Sequence, residues 1–73
     1  MQRYAVQSSS VRTLGYDRVR SLLEVEYHNG AVYRYFDVPE LHFERLTDGR
    51  SIGRYINACI KVHYRFEKMR DAD

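Results

Sequence analysis

The chain has no tryptophan, one proline, one cysteine and four glycines in 73 residues. With Cys59 alone no internal disulfide can form, so a packed core must hold the fold, and a reducing compartment is expected. No apolar run approaches the ~20 residues that span a bilayer. The N-terminal Met1-Gln2-Arg3-Tyr4 leads into the polar Gln7-Ser8-Ser9-Ser10 rather than an apolar signal segment. Together these absences point to a cytoplasmic domain with no membrane partner. His28, His42, His63 and Cys59 match no zinc-site spacing, and no Ser, His and Asp set sits around a nucleophile turn. No metal, small-molecule cofactor or catalytic residue is expected, and the chain is read as a non-enzyme.

A chain of this length folds as one domain and buries only about 60% of its unfolded surface. That economy favours a small binding module. The charge is unevenly spread. Between Arg45 and Arg70, seven basic residues stand against Asp48 and Glu67, whereas the first 44 residues have slightly more acids than bases. Ten of the twelve basic residues are arginines, whose planar fork suits phosphates and aromatic rings.

Asn29-Gly30, flanked by alternating apolar residues, is a hairpin signal, because both residues tolerate the positive φ of a tight turn. Val11 to Tyr16 reads as a first strand, Asp17-Arg18 as its turn, and Val19 to His28 as a second strand with Leu23, Val25 and Tyr27 on one face. The third strand is Ala31 to Asp37. A two-residue loop would put Arg34 on the apolar face. A three-residue loop, His28-Asn29-Gly30, with Gly30 as the left-handed bulge residue, instead opposes Val25 with Tyr33, Leu23 with Tyr35 and Glu24 with Arg34. This register is preferred, and it predicts that both tyrosine rings are buried beneath the helices while Arg34 faces solvent. Exposed, the same two rings would be a base-stacking platform.

Asp37 and Glu40 have capping-box spacing around Pro39, predicting a helix over 39–47 that ends at Asp48-Gly49. Ser51 is placed to cap a second helix whose Ile52, Tyr55, Ile56, Cys59 and Ile60 form one buried stripe, with Cys59 an inert thiol. On its other side lie Arg50, Arg54, Asn57 and Lys61, with Arg65 and Lys68 in line if the helix continues. That line is the candidate nucleic-acid face, and equally suits an ordinary solvated face. Beyond Val62, alternation of Val62, Tyr64 and Phe66 suits an extended segment returning to the sheet edge. Ser51 and Gly53 form a small candidate anion site, Gly53 alternatively serving close packing.

The ordered set of an early Ser-Ser, Gly15-Tyr16, Leu23, Val25, Tyr27, Gly30, Tyr33-x-Tyr35, Val38-Pro39, Ser51-x-Gly53-x-Tyr55-x-Asn57, Ile60 and Tyr64 resembles the KTSC domain. This short bacterial module is named for its place at the C-terminus of some lysyl-tRNA synthetases and also stands alone. The likeness runs from about Ser9 to Phe66. A proline common near the family's final tyrosine is missing from Val62 to Phe66. The resemblance implies association with RNA through the synthetase context and brings no catalytic residue. The resulting expectation is an α+β domain over 9–70, after a flexible lead-in (1–8) and before a tail (71–73). It comprises a three-stranded antiparallel meander packed on one face by two C-terminal helices. Its partner is structured RNA such as tRNA, or alternatively another protein docked at a sheet edge or on exposed aromatics.

Overall fold

The computed structural model describes residues 1–48 and 51–73. Five antiparallel strands lie side by side in chain order: β1 (Arg3–Ala5), β2 (Val11–Asp17), β3 (Leu22–Tyr27), β4 (Val32–Tyr35) and β5 (Phe66–Arg70). Two helical segments, α1 (Glu40–Asp48) and α2 (Ile52–Tyr55), cover one face. The sheet thus has five strands, not three. β1 comes from the expected lead-in and pairs with β2, and β5 is the segment returning after α2, which pairs with β4.

The β3–β4 register is the bulged one: Val25 opposes Tyr33, Leu23 opposes Tyr35 and Glu24 opposes Arg34. Gly30 takes φ 97° and donates its N–H to Tyr27 C=O, while Tyr27 N–H donates to Ala31 C=O. A residue with a Cβ is strained at that φ. On β2 a bulge between Val11 and Thr13 shifts the alternation, so that Val11 and Leu14 both face the helices. The second strand starts at Leu22 rather than Val19. Asp17 Oδ1 accepts the N–H groups of Val19 and Arg20, folding that stretch into a turn with Val19 94% exposed.

Beyond Tyr55 the helix widens into one π turn over Ile56–Ile60, closed by Lys61 N–H donating to Ile56 C=O. The isoleucines explain the turn. Four residues overshoot one α-helical turn, so Ile52, Ile56 and Ile60 would drift around an α-helix. Winding with i→i+5 bonds reverses the drift and keeps all three buried against the sheet. Cys59, expected inside, is displaced to a half-buried flank.

Neither expected helix cap forms. Asp37 adopts φ 57° ahead of α1, and Glu40 turns outward to pair with Arg18. Ser51 sits at φ 57°, ψ 50° and makes no side-chain capping bond, so its backbone C=O alone joins the helix, accepting from Tyr55 N–H. Gly49, the expected stop of the first helix, lies outside the described residues.

Tyr35 is fully buried, with its hydroxyl lacking a hydrogen-bond partner among the described residues. Burial pushes that hydroxyl well above the ordinary phenol range, and Tyr27, whose hydroxyl is the polar neighbour but lies outside hydrogen-bond geometry, adds to the shift. A buried orphan hydroxyl costs roughly 1–3 kcal/mol. Tyr35→Phe is therefore expected to raise stability by about 1 kcal/mol, read as a higher urea midpoint at unchanged slope. A lower midpoint would show that the hydroxyl is satisfied.

Candidate functional site

Two clefts flank the run formed by α2 and the π turn, and they meet at Asn57. The larger, about 800 Å³, lies between α2 and the loop before β2, and is lined by Ser8, Ser9, Ser10, Ser51, Gly53 and Arg54 besides Asn57. The loop is held in place. Ser8 Oγ accepts the N–H groups of Ser10 and Val11, Ser10 C=O accepts from His28 N–H, and the His28 ring bonds Ser8 C=O through Nε2 at 2.9 Å. A Cβ on Gly53 would stand 2.5 Å from Ser10 Oγ. Gly53 therefore lets the serine loop approach the helix, rather than bringing the helix closer to the sheet.

The second cleft, about 240 Å³, opens between the π turn with Lys61 beyond it, the β3–β4 hairpin, and β5 with the residues after it. Tyr27, Tyr33, Asn57, Lys61 and Lys68 line it. Tyr33 shares the core face with Tyr35 but is only half-buried, because it sits near the rim of the helical cover. Its ring stacks on Tyr35 (6.4 Å between centroids), leans on Phe66 (5.5 Å) and meets Tyr27 edge-on (5.7 Å). Lys68 Nζ lies 5.7 Å from the Tyr33 centroid and 3.3 Å from Asp71 Oδ1.

The expected line of charge is partly assembled. Arg54, Asn57 and Lys61 are all exposed along the two clefts, and neither Arg54 nor Lys61 pairs with an acid among the described residues. Arg65 leaves the line. The helix has ended before it, and its guanidinium lies 4.6 Å from the Phe36 ring centroid. Arg50 falls outside the described residues. Lys68 arrives from β5 instead of from a continued helix. Ser51 and Gly53 share the larger cleft with Arg54, whereas Tyr35 is sealed in the core and presents nothing to a ligand. The contributions of Tyr27 and the serine loop were not drawn from the sequence. The alternation of Tyr27 with Leu23 and Val25 was the available signal for the first.

Two further clusters stand outside these clefts. His42 joins both helices to the segment before β5. Its Nδ1 is 2.8 Å from the Tyr55 hydroxyl and its Nε2 is 2.9 Å from the Tyr64 hydroxyl. Burial, and then the charges of Arg45 and His63, push the imidazole below its usual pKa. On the sheet's other face, Glu24 accepts from Arg3 on one oxygen (2.8 Å) and from Arg34 on the other (2.6 Å). Arg3 reaches across β2 over Gly15, where an added Cβ would stand 3.2 Å from Arg3 Cγ and 2.9 Å from Gln2 C=O. Among the described residues no group of three or more His, Cys, Asp or Glu side chains is placed to hold a metal ion, and no helix is long and apolar enough to cross a membrane.

A five-stranded meander covered on one face by two helical segments is a small α+β domain, here with polar clefts around the second helix. Residues 7–64 match the KTSC domain, and the chain belongs to that family. It is 48% identical over 67 residues to an uncharacterized protein of Stutzerimonas stutzeri, covering 90% of this chain and 94% of that protein. It is 32% identical over 63 residues to a lysine–tRNA ligase of Nostoc punctiforme, of which the match spans 11%. The crystal structure of a KTSC domain protein from Yersinia pestis superposes with a TM-score of 0.87 at 31% identity, covering 94% of this chain and 97% of that one.

Proposed function

We propose that this KTSC domain is a non-catalytic module that binds structured RNA such as tRNA, gripping the phosphate backbone along α2. The observation that carries this reading is the pair of unopposed cations, Arg54 and Lys61, placed along linked clefts with Asn57 between them. Cations without acidic partners release counterions from a polyanion on binding. Lys68 adds a third positive group at the far end. The likeness to a stretch of lysine–tRNA ligases supports the same class of ligand. Besides Val19, Leu41 and Val62, the exposed large apolar residues include Met1 and Tyr4 at the β1 edge and Phe66 and Met69 on β5. Tyr4 stands beside Phe43 in a small recess, and it is this apolar edge that would favour the alternative partner, another protein.

Titrating the domain with tRNA at about 50 mM and about 200 mM salt tests the reading. Binding is expected at the lower salt, falling steeply at the higher. Reversing Arg54 and Lys61 to glutamate should weaken it and reduce the log–log salt slope by roughly 0.7–0.9 for each lost phosphate contact. Both side chains are exposed, so the melting curve should scarcely move. Failure to bind at low salt would remove the RNA reading.

A further inference from the structure

We infer that the RNA held in this groove is unpaired, with one nucleobase entering the Tyr33 cleft, Asn57 reading its edge, and Lys61 and Lys68 holding the adjoining phosphates. The inference rests on the RNA reading above and adds the form of the RNA and the place where a base is taken.

The shape of the site argues first. The cations line a recess of about 240 Å³ rather than a ridge. A-form duplex RNA offers proteins a wide, shallow minor groove and keeps its base faces stacked, whereas an unpaired base can be splayed out into a cleft. A recess walled by two tyrosine rings suits a single planar heterocycle.

The state of the Tyr33 ring argues next. Tyr35, Phe66 and Tyr27 pack around it, so it is fixed in place, yet it remains half-exposed on a face whose other central residues are sealed. Such a ring is a ready stacking surface that needs no ordering on binding. Lys68 occupies its neighbourhood only loosely. Its ammonium is tied to Asp71, whose side chain is 86% exposed. An arriving base displaces that ammonium toward the rim, where a phosphate takes the place of the Asp71 carboxylate.

Chemical selectivity comes from Asn57. Its exposed amide carries a donor and an acceptor, makes no hydrogen bond among the described residues, and opens to both clefts. No acid lines the Tyr33 cleft among the described residues, but Asp71 pairs with Lys68 beside it and Asp73 donates its N–H to Asn29 C=O. The tail's carboxylates thus stand at the rim, and an arriving nucleotide must draw Lys61 and Lys68 against them.

The experiment compares single-stranded ten-nucleotide homopolymers of U, A and C with a blunt RNA duplex of equal strand length, by fluorescence anisotropy in one low-salt buffer. Single strands are expected to bind at least tenfold tighter than the duplex. Tyr33→Leu should weaken single-strand binding about tenfold and leave the salt slope unchanged, because stacking and not charge is lost. Tyr33→Phe should bind like the parent. Asn57→Ala, an exposed change that leaves the fold intact, should narrow the differences among U, A and C, and it tests the inference even if Tyr33→Leu fails to fold. Equal affinity for strand and duplex, or a folded Tyr33→Leu that binds like the parent, would overturn the inference while leaving the phosphate grip standing. So would an Asn57→Ala that keeps the preferences among bases. Absence of binding to either form would instead remove the RNA reading, and this inference with it.

Discussion

Glu24→Ala is expected to destabilise the domain by about 2–3 kcal/mol, a large share of what a chain this short has available. Glu24 is only 5% exposed and accepts from two arginines, one on each side of its strand. Removing the carboxylate leaves Arg3 and Arg34 facing one another without a counter-charge. Breaking a fully buried pair costs roughly 3–5 kcal/mol. The two arginine side chains here are 36% and 32% exposed, so water recovers part of that cost.

The pH dependence should change with it. Burial pushes the Glu24 carboxyl up, but the hydrogen bonds and charges of Arg3 and Arg34 outweigh burial and hold it below the ordinary value of 4.5. A carboxylate with a depressed folded pKa contributes stability that is complete above the unfolded pKa and is lost as pH falls through the folded one. The parent should therefore weaken below about pH 4.5, and the alanine variant should lose less over the same interval. Some acid sensitivity will remain, because Glu26 is also held low, chiefly by the Thr13 hydroxyl and then by Arg70. Chemical denaturation at pH 7 and pH 3.5 measures both effects. A loss under about 1 kcal/mol at pH 7 would show that the cluster is a surface feature.

Ile56→Ala should cost about 3 kcal/mol and lower the melting temperature by more than about 10 °C. Ile56 is fully buried at the start of the π turn, between Ile52 and Ile60 on the same face. Truncation opens a cavity that the wide turn cannot close without carrying Ile60 off the sheet. Ala58→Ser, on the exposed side of the same turn, is the control and should stay within about 0.5 kcal/mol. If Ile56→Ala melts like the parent, the stripe is not the core of the helix–sheet contact.

The central hairpin was readable because two independent signals agreed: a turn that requires positive φ at Gly30, and an opposite-charge pairing of Glu24 with Arg34 that only one register allows. The depth of Glu24 was not readable. It depends on Arg3, whose strand is three residues long and carries no alternation to speak of. The end of the second helix was half readable: the alternation of Val62, Tyr64 and Phe66 offered a returning strand, which β5 is, but the line of charge offered a longer helix with equal weight. Arg54 to Arg65 has the spacing of a helical face, and only the burial of Ile60 together with the bonds of the π turn shows why the helix stops. Winding it at 3.6 residues per turn placed Arg65 beside Lys61, whereas the observed chain turns it onto Phe36. Within the candidate site, Arg54, Asn57 and Lys61 were found from helical periodicity alone. The approach of Ser8 to Ser10 and of Lys68 depends on tertiary closure, which no local pattern encodes.

Because the strands lie in the order in which they occur along the chain, β1 to β4 can form by successive closure of short hairpins, each bringing near neighbours together. β5 is different. Everything from Phe36 to Arg65, both helical segments included, separates it from the strand it joins. Its docking must therefore bear the loop-closure entropy that the earlier pairings avoid, although that cost grows only logarithmically with the length enclosed. The strand that needs this longest closure is also the one that delivers Phe66 and Lys68 to Tyr33, so the smaller cleft exists only where the β4–β5 pairing is made.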